Sequence, residues 1–241
     1  MAKKKQKIPE KKASMKWVYV GLAVLVIAAL AVYTYSGSTS NNTDSSSSND
    51  VKAKIPTAGK FGTMNKPGTY EPGKVIITEF LRFNCGHCNT LNSQLPALKK
   101  KYGDKIEITY KPMLWKNMKG DPALTKSNEA YILANRMGKG EEMKDAIFKA
   151  LWVEKRDITS ELQLGDIGKS VGLGDEFVTA LKNGDAKAEA DKNIADSVSF
   201  LVDETPTIII NGNLKVTPEM TNEDVTQMVN NMDAIINSLL S

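Results

Sequence analysis

Apolar and polar positions follow strand spacing in two parts of the chain that are far apart in sequence. An apolar, β-branched run begins at Val75, and residues 106–111 alternate apolar and polar side chains until Pro112. Both patterns predict strands. Residues 207–210 and 214–216 predict two more strands, and the dipeptide Asn211-Gly212 between them strongly favours a hairpin.

Apolar residues follow helical spacing in the remaining segments after residue 88. The predicted helices cover residues 89–102, 122–137, 141–152, 160–171, 175–181, 185–201 and 221–240. Pro96 predicts a kink in the first helix, and Thr221 is placed to cap the last one. A strand, a helix and another strand require a parallel pair, whereas the hairpin adds antiparallel strands. The sequence therefore predicts an α/β fold with a mixed sheet and a helical insertion at about residues 121–202.

The N-terminal part of the chain has a different composition. Residues 1–16 contain seven lysines and one glutamate, and residues 17–35 contain no charge but carry tyrosine or tryptophan near both ends. A helix of 19 residues, at about 1.5 Å per residue, is long enough to cross the hydrocarbon core of a bilayer. Because lysines crowd one side, residues 1–16 are expected in the cytoplasm and the rest outside. The sequence predicts a single-pass anchor with an extracytoplasmic domain.

A cleaved signal peptide is the alternative interpretation of residues 17–35. Its apolar region is unusually long, and no convincing small-x-small cleavage site follows it, so a retained anchor is favoured. Residues 36–56 are rich in serine and asparagine and predict a flexible linker. The compact domain is then expected at residues 57–241, outside the cytoplasm under either interpretation.

The net charge of +4 does not indicate a nucleic-acid partner. Residues 1–16 contribute +6 of it, which leaves −2 for the remainder. A slightly acidic domain lacks the basic surface that binding to phosphates requires.

Cys85 and Cys88 are the only cysteines, and they lie where the first strand passes into the first helix. Two cysteines separated by two residues at such a junction indicate a redox dithiol. Cys85, at the helix start, is the expected nucleophile, because backbone N–H groups and the helix dipole lower its pKa. His87, the single histidine, adds a donor or a positive charge beside that sulfur. A structural zinc site needs more ligands than the chain offers, but a Cu(I) site formed by Cys85, His87 and Cys88 stays an alternative.

The motif Cys85-Gly86-His87-Cys88 after a strand, with Thr205-Pro206 before a distant strand, resembles the thioredoxin superfamily. The helical block is similar to that of the DsbA-like branch. Residues 150–158 (ALWVEKRDI) and 171–177 (VGLGDEF) resemble segments of that branch, and the resemblance covers about residues 70–240. It implies a thioredoxin fold interrupted by helices, and a thiol–disulfide oxidoreductase that acts on exported proteins containing cysteine.

The resemblance also implies roles for particular residues. Cys88 is the resolving thiol, so the only redox group is a Cys85–Cys88 disulfide, without a bound cofactor, and a separate redox partner restores it. Glu79 occupies the place of a buried acid that takes the proton of Cys88, and alternation puts it on the opposite face from Phe80. Pro206 resembles the family's cis-proline, and Thr205 offers its backbone to an extended substrate.

Two departures from the family pattern leave the direction of electron flow open. Glu204 stands where the family often has glycine before the cis-proline segment, and Gly86-His87 replaces the usual Pro-His. A disulfide reductase or isomerase therefore stays an alternative to an oxidase.

Overall fold

A five-stranded mixed sheet forms the centre of the domain. The computed structural model describes residues 54–115 and 122–241, with side chains from residue 125 in the second range. The strands are β1 (Gly62–Thr63), β2 (Val75–Leu81), β3 (Ile106–Pro112), β4 (Thr207–Ile210) and β5 (Leu214–Val216). Their order in the sheet is β1-β5-β4-β2-β3. Since β2 pairs in parallel with β3 and antiparallel with β4, the predicted mixed sheet is confirmed.

The hairpin between β4 and β5 is also confirmed. The two strands pair antiparallel, with Ile210 opposite Leu214. Asn211 and Gly212 have φ values of 47° and 77°, the left-handed backbone that tight hairpins need and that these two residue types adopt most readily.

The predicted helices are present, and only the first and last begin at clearly different residues. They are α1 (Gly86–Tyr102), α2 (Pro122–Arg136), α3 (Gly140–Trp152), α4 (Glu161–Ser170), α5 (Asp175–Asn183), α6 (Lys187–Ser199) and α7 (Val225–Leu240). Helix α1 begins three residues before the predicted start and continues through Pro96, so it includes His87 and Cys88 of the motif. Helices α2 to α6 lie between β3 and β4 in sequence.

Helix α7 begins later than predicted, because residues 218–223 form a tight turn instead. Pro218–Thr221 is a short 3₁₀ helix, and Asn222 and Glu223 follow in the left-handed conformation. The cap of α7 is Asp224, whose Oδ1 accepts the Gln227 N–H at 3.0 Å. The prediction that Thr221 caps this helix was wrong. Its hydroxyl instead donates to main-chain carbonyls within the turn.

Both faces of strand β2 are covered. Ile77 and Leu81 belong to a large core that includes Leu91 and Leu95 of α1. Phe80 points to the other face, where its ring lies 5.6 Å from that of Phe200. Because neighbouring side chains of a strand point to opposite faces, the residues next to Phe80 in sequence face α1 and the helical block rather than water.

The first described residues form a strap across α7. Thr57 N–H donates to the Ser238 hydroxyl at 2.7 Å, and Lys60 N–H donates to Asn231 Oδ1 at 2.6 Å. Between them, Gly59 has φ +93°, and a Cβ there would lie 2.4 Å from Ile235 Cγ1. Glycine is needed at this position for both its backbone conformation and its close approach to α7.

We expect Gly59→Ala to lower the free energy of unfolding by about 3 kcal/mol, since it combines left-handed strain with a steric clash. Gly73→Ala is the matched control, because Gly73 has φ +76° with no atom within 4 Å of the added Cβ. It should cost only about 1 kcal/mol. Urea unfolding of both variants measures the two free energies of unfolding. Equal decreases would show that position 59 does not approach α7 closely.

The predicted anchor at residues 17–35, the tail 1–16 and most of the linker 36–56 lie outside the described residues. Within 54–115 and 122–241, no helix has the length and apolar character to cross a bilayer.

Candidate active site

Cys85 is the N-cap of α1, at the end of the loop that follows β2. Its backbone is extended (φ −94°, ψ 123°), and its N–H donates to the Arg82 carbonyl at 3.1 Å. Its Sγ accepts the Cys88 N–H at 3.3 Å and lies 3.0 Å from the Thr205 carbonyl oxygen, to which the thiol donates. The sulfur therefore occupies the cap position, where the first N–H groups of a helix lack partners.

This position lowers the pKa of Cys85 from 9.0 to about 5. The largest cause is a hydrogen bond from the Cys88 thiol, and partial burial opposes it. A side-chain hydrogen bond from Thr205 and the backbone N–H groups of Cys88 and His87 add to the lowering. Each of these donors stabilises the thiolate, whereas the hydrogen bond from the protonated thiol to the Thr205 carbonyl is lost on ionisation. With a pKa of about 5, Cys85 is ionised at neutral pH.

Cys88 has the opposite environment. It is fully buried, and both cysteines are free thiols. Burial raises the pKa of Cys88 well above 9.0, and its hydrogen bond to Cys85 and the charges of Cys85 and Glu79 raise it further. One sulfur is thus a partly exposed thiolate, and the other is a protonated thiol one turn along α1.

We expect alkylation of the reduced protein at Cys85 to titrate with a midpoint near pH 5 rather than near 9. Because the folded pKa is depressed, the thiolate contributes stability that is present above pH 9 and lost as pH falls through 5. As the pH falls from 9 to 5, the reduced protein should therefore lose stability relative to the oxidised protein. Alkylation rates and thermal unfolding against pH measure both effects, with Cys85→Ser as the control. A midpoint near 9 would contradict the described contacts.

Glu79 is buried on β2, 2% exposed, on the face toward α1 and opposite Phe80. Burial raises its pKa from 4.5 to about 7, and Cys85 and Glu141 raise it further, whereas Lys144 and Lys99 lower it. The predicted burial of Glu79 is confirmed. A carboxyl group that titrates near neutral pH is suited to exchanging a proton with a neighbouring thiol.

Lys144 is a buried charge near Glu79 that the sequence analysis missed. It lies on α3 and is 2% exposed. Its Nζ donates to Asn92 Oδ1 at 2.6 Å, lies 3.2 Å from Glu141 Oε2 and stands 4.2 Å from the centre of the Tyr110 ring. A lysine within a helical pattern normally indicates a solvated face, so no sequence signal distinguishes this one.

The imidazole of His87 lies beside an acid. Its Nδ1 is 3.6 Å from Glu223 Oε2, and both side chains are about half exposed. Among the main causes of the low pKa of Cys85, His87 enters through its backbone N–H rather than its ring. Glu223 lies 136 positions further along the chain, and sequence analysis did not select it.

The segment before β4 closes the other side of the sulfur. The Thr205–Pro206 peptide bond is cis, as the resemblance implies. The Thr205 carbonyl faces Cys85, and the Glu204 carbonyl accepts the Thr207 hydroxyl at 2.8 Å. Trp152, at the end of α3, donates its ring N–H to the Phe83 carbonyl at 2.9 Å, and its ring edge lies 3.6 Å from where a Cβ on Gly86 would be. The helical block therefore contacts the motif directly.

Among the described residues, no group of three or more histidine, cysteine or acidic side chains is arranged to hold a metal ion. The sulfurs have protein donors around them instead.

A family model described as the DSBA-like thioredoxin domain matches residues 76–232, more than half of the chain. The chain belongs to this DsbA-like family. It is therefore a protein thiol–disulfide oxidoreductase with the thioredoxin fold.

Individual relatives agree with this assignment. The thiol:disulfide interchange protein DsbA of Burkholderia cepacia is 26% identical over 171 residues, which cover 69% of this chain and 78% of the relative. The crystal structure of Pseudomonas aeruginosa DsbA aligns with a TM-score of 0.61 at 18% identity, over 74% of this chain and 91% of that one. DsbA from Xylella fastidiosa has the same TM-score at 20% identity, over 76% and 97%. At these identities, the structures establish the fold alone.

Proposed function

We propose that this protein is a membrane-anchored, extracytoplasmic enzyme that introduces or exchanges disulfides in exported proteins through Cys85 and Cys88. The observation that carries the proposal is the opposite ionisation of the two sulfurs, one stabilised as a thiolate and one buried as a thiol. A stabilised thiolate favours the reduced enzyme, so the disulfide form is a strong oxidant. This favours net oxidation over the reductase alternative.

The reaction begins with the Cys85–Cys88 disulfide, the only redox group in the proposal. A client thiolate attacks Cys85 Sγ, the S–S bond breaks, and Cys88 leaves with the electron pair and takes a proton. A second client thiolate attacks the client sulfur of the mixed disulfide and releases Cys85 as a thiolate. The client loses two electrons and two protons. The enzyme takes up both electrons and one proton, on Cys88, and the second proton goes to solvent because Cys85 is left as a thiolate. Release of Cys85 is fast because its low pKa makes it a good leaving group.

We assign supporting roles to residues around the sulfurs. Glu79 exchanges a proton with Cys88, because its raised pKa lets it act as donor and acceptor near neutral pH. Thr205 and Pro206 present backbone to an extended client segment beside Cys85. A separate redox partner reoxidises the dithiol after each turnover.

The membrane part of the proposal depends on the uncharged segment 17–35 and its lysine-rich flank. Within the domain, the described chain begins at the end of α7 that is remote from Cys85. Thr57 is bound to Ser238, about 20 Å along the helix from Val225 at its start. The described chain is therefore attached to the domain at the end of α7 that lies away from Cys85.

A turnover assay tests the function. Purified, oxidised full-length protein is mixed with a reduced, unfolded client that has two native disulfides, and with the same client carrying scrambled disulfides. We expect oxidation of the reduced client to be the faster reaction. Faster reshuffling of the scrambled client would favour the isomerase alternative, supported by the Gly86-His87 dipeptide. Tight Cu(I) binding without either turnover would overturn the proposal in favour of a copper chaperone.

Carbonate extraction of membranes tests the anchor separately. The full-length protein should stay in the pellet, and release into the supernatant would contradict a retained transmembrane segment.

A further inference from the structure

Helices α1 and α7 lie side by side with their N-terminal ends at the active site. Three contacts hold them in parallel register. Gln94 donates to the Thr226 hydroxyl at 3.0 Å, and Lys101 and Tyr102 both donate to Asp233 Oδ1, at 2.6 and 2.9 Å. This register places the first turn of α1, which contains His87, next to the residue that precedes the cap of α7.

That residue, Glu223, is held in an unusual backbone conformation. Asn222 and Glu223 are two consecutive non-glycine residues with φ values of 54° and 63°. The turn is fixed by the Glu223 N–H, which donates to the Pro218 carbonyl at 2.9 Å, and by the Asn222 N–H, which donates to the Glu219 carbonyl at 3.2 Å. Each left-handed residue costs about 1 kcal/mol or more, a strain that concentrates near functional sites. The carboxylate of Glu223 is thereby directed to His87.

We propose that Glu223 is a positioning residue that holds the His87 imidazole away from the Cys85 sulfur and so limits the oxidising power of the enzyme. The inference rests on the proposed function of the Cys85–Cys88 pair. An imidazolium beside the sulfur stabilises the thiolate and makes the disulfide more oxidising. Glu223 competes for the same imidazole and adds a negative charge near the site. Its Oε2 lies 3.6 Å from Nδ1, and this contact favours one orientation of a half-exposed side chain.

The donors around the Cys85 sulfur agree with an imidazole that is held by Glu223 instead of by the sulfur. The Cys85 sulfur already accepts hydrogen bonds from the Cys88 N–H and the Cys88 thiol, and the backbone N–H of His87 is a third donor. The thiolate is therefore stabilised without the imidazole. The ring is left as an adjustable contribution, controlled by an acid in the turn that precedes α7.

A double-mutant cycle on the full-length protein tests the proposal. The readout is the equilibrium constant of the Cys85–Cys88 couple with glutathione. Glu223→Gln should make the couple about 5- to 10-fold more oxidising, or about 20–30 mV, since tenfold corresponds to about 30 mV. His87→Ala should change the constant less than about 2-fold in the natural sequence, but should reverse most of the increase in the Glu223→Gln background.

Glu219→Gln is the matched control. Glu219 is an exposed acid in the same turn, so the substitution removes the same charge from a residue that is not paired with His87. It should leave the constant within about 2-fold. Three results would overturn the proposal. Glu219→Gln could change the constant as much as Glu223→Gln does, or His87→Ala could change it equally in both backgrounds. The Glu223→Gln variant could also prove less oxidising than the natural protein. A protein with no measurable Cys85–Cys88 couple would instead overturn the proposed function itself.

Discussion

Cys85→Ser is expected to lower the rate of client oxidation by roughly 1000-fold or more, to the uncatalysed level. Cys85 is the partly exposed sulfur, and its pKa of about 5 makes it both the site of attack and the better leaving group. A serine hydroxyl forms no disulfide, so neither the oxidised enzyme nor the mixed disulfide exists in this variant. Turnover of a reduced two-disulfide client measures the loss.

Cys88→Ser is the informative partner of this variant. It retains the reactive Cys85 thiolate and lacks only the buried resolving sulfur. We expect its Cys85 thiolate to attack the S–S bond of oxidised glutathione or of a client disulfide, release one thiol and accumulate as a mixed disulfide, visible by mass spectrometry. If Cys85→Ser retained activity, or if the adduct formed at Cys88 in the natural protein, the assigned order of the two thiols would be wrong.

Glu79→Gln is expected to stabilise the reduced protein at pH 8. Because the folded pKa of Glu79 is raised from 4.5 to about 7, its favourable contribution is present below pH 4.5 and is lost as pH rises through 7. At about 1.4 kcal/mol per unit, the natural protein should lose about 2–3 kcal/mol relative to Glu79→Gln between pH 5 and 8. Urea unfolding of both proteins at the two pH values measures this difference.

The same substitution should slow catalysis even though it stabilises the fold. The thiol of Cys88 has a pKa well above 9.0, so a nearby group must accept its proton before it can attack the mixed disulfide that Cys85 forms with the redox partner during reoxidation. We expect Glu79→Gln to slow that resolving step by about 100-fold, with the first attack on Cys85 unchanged. Rapid-quench analysis of the mixed disulfide separates the two steps.

Glu107→Gln is the control for both measurements with Glu79. Glu107 lies on β3, the neighbouring strand, but its side chain is 54% exposed and pairs with Lys74. It should change neither the pH dependence of unfolding nor the resolving step beyond experimental error. An equal effect of both substitutions would point to general charge rather than to a buried proton acceptor.

Helix and strand positions could be predicted from sequence because they depend on local spacing. The apolar run from Val75, the hairpin at Asn211-Gly212 and the Leu91–Leu95 face are each readable within a few residues. The error at the start of α7 came where one local signal competed with another. Thr221 has the right side chain for a cap, but Pro218 starts a 3₁₀ turn that moves the start of α7 to Val225.

The sequence by itself determined the chemistry of this protein. A Cys-x-x-Cys pair at a strand–helix junction indicates the reactive groups, and alternation along β2 places Glu79 on the face opposite Phe80. These are short-range properties, fixed by bonding and by the period of one strand or one helix turn.

Only the tertiary structure decided which distant residues surround the sulfurs. Thr205 reaches Cys85 from 120 positions away, Lys144 of the helical block is buried and lowers the pKa of Glu79, and Glu223 meets His87 because α1 and α7 pack in parallel. The reason is physical: how easily a thiol or carboxyl group loses its proton depends on the charges and donors within a few ångströms of it, and packing brings these together from segments whose separation in sequence carries no signal.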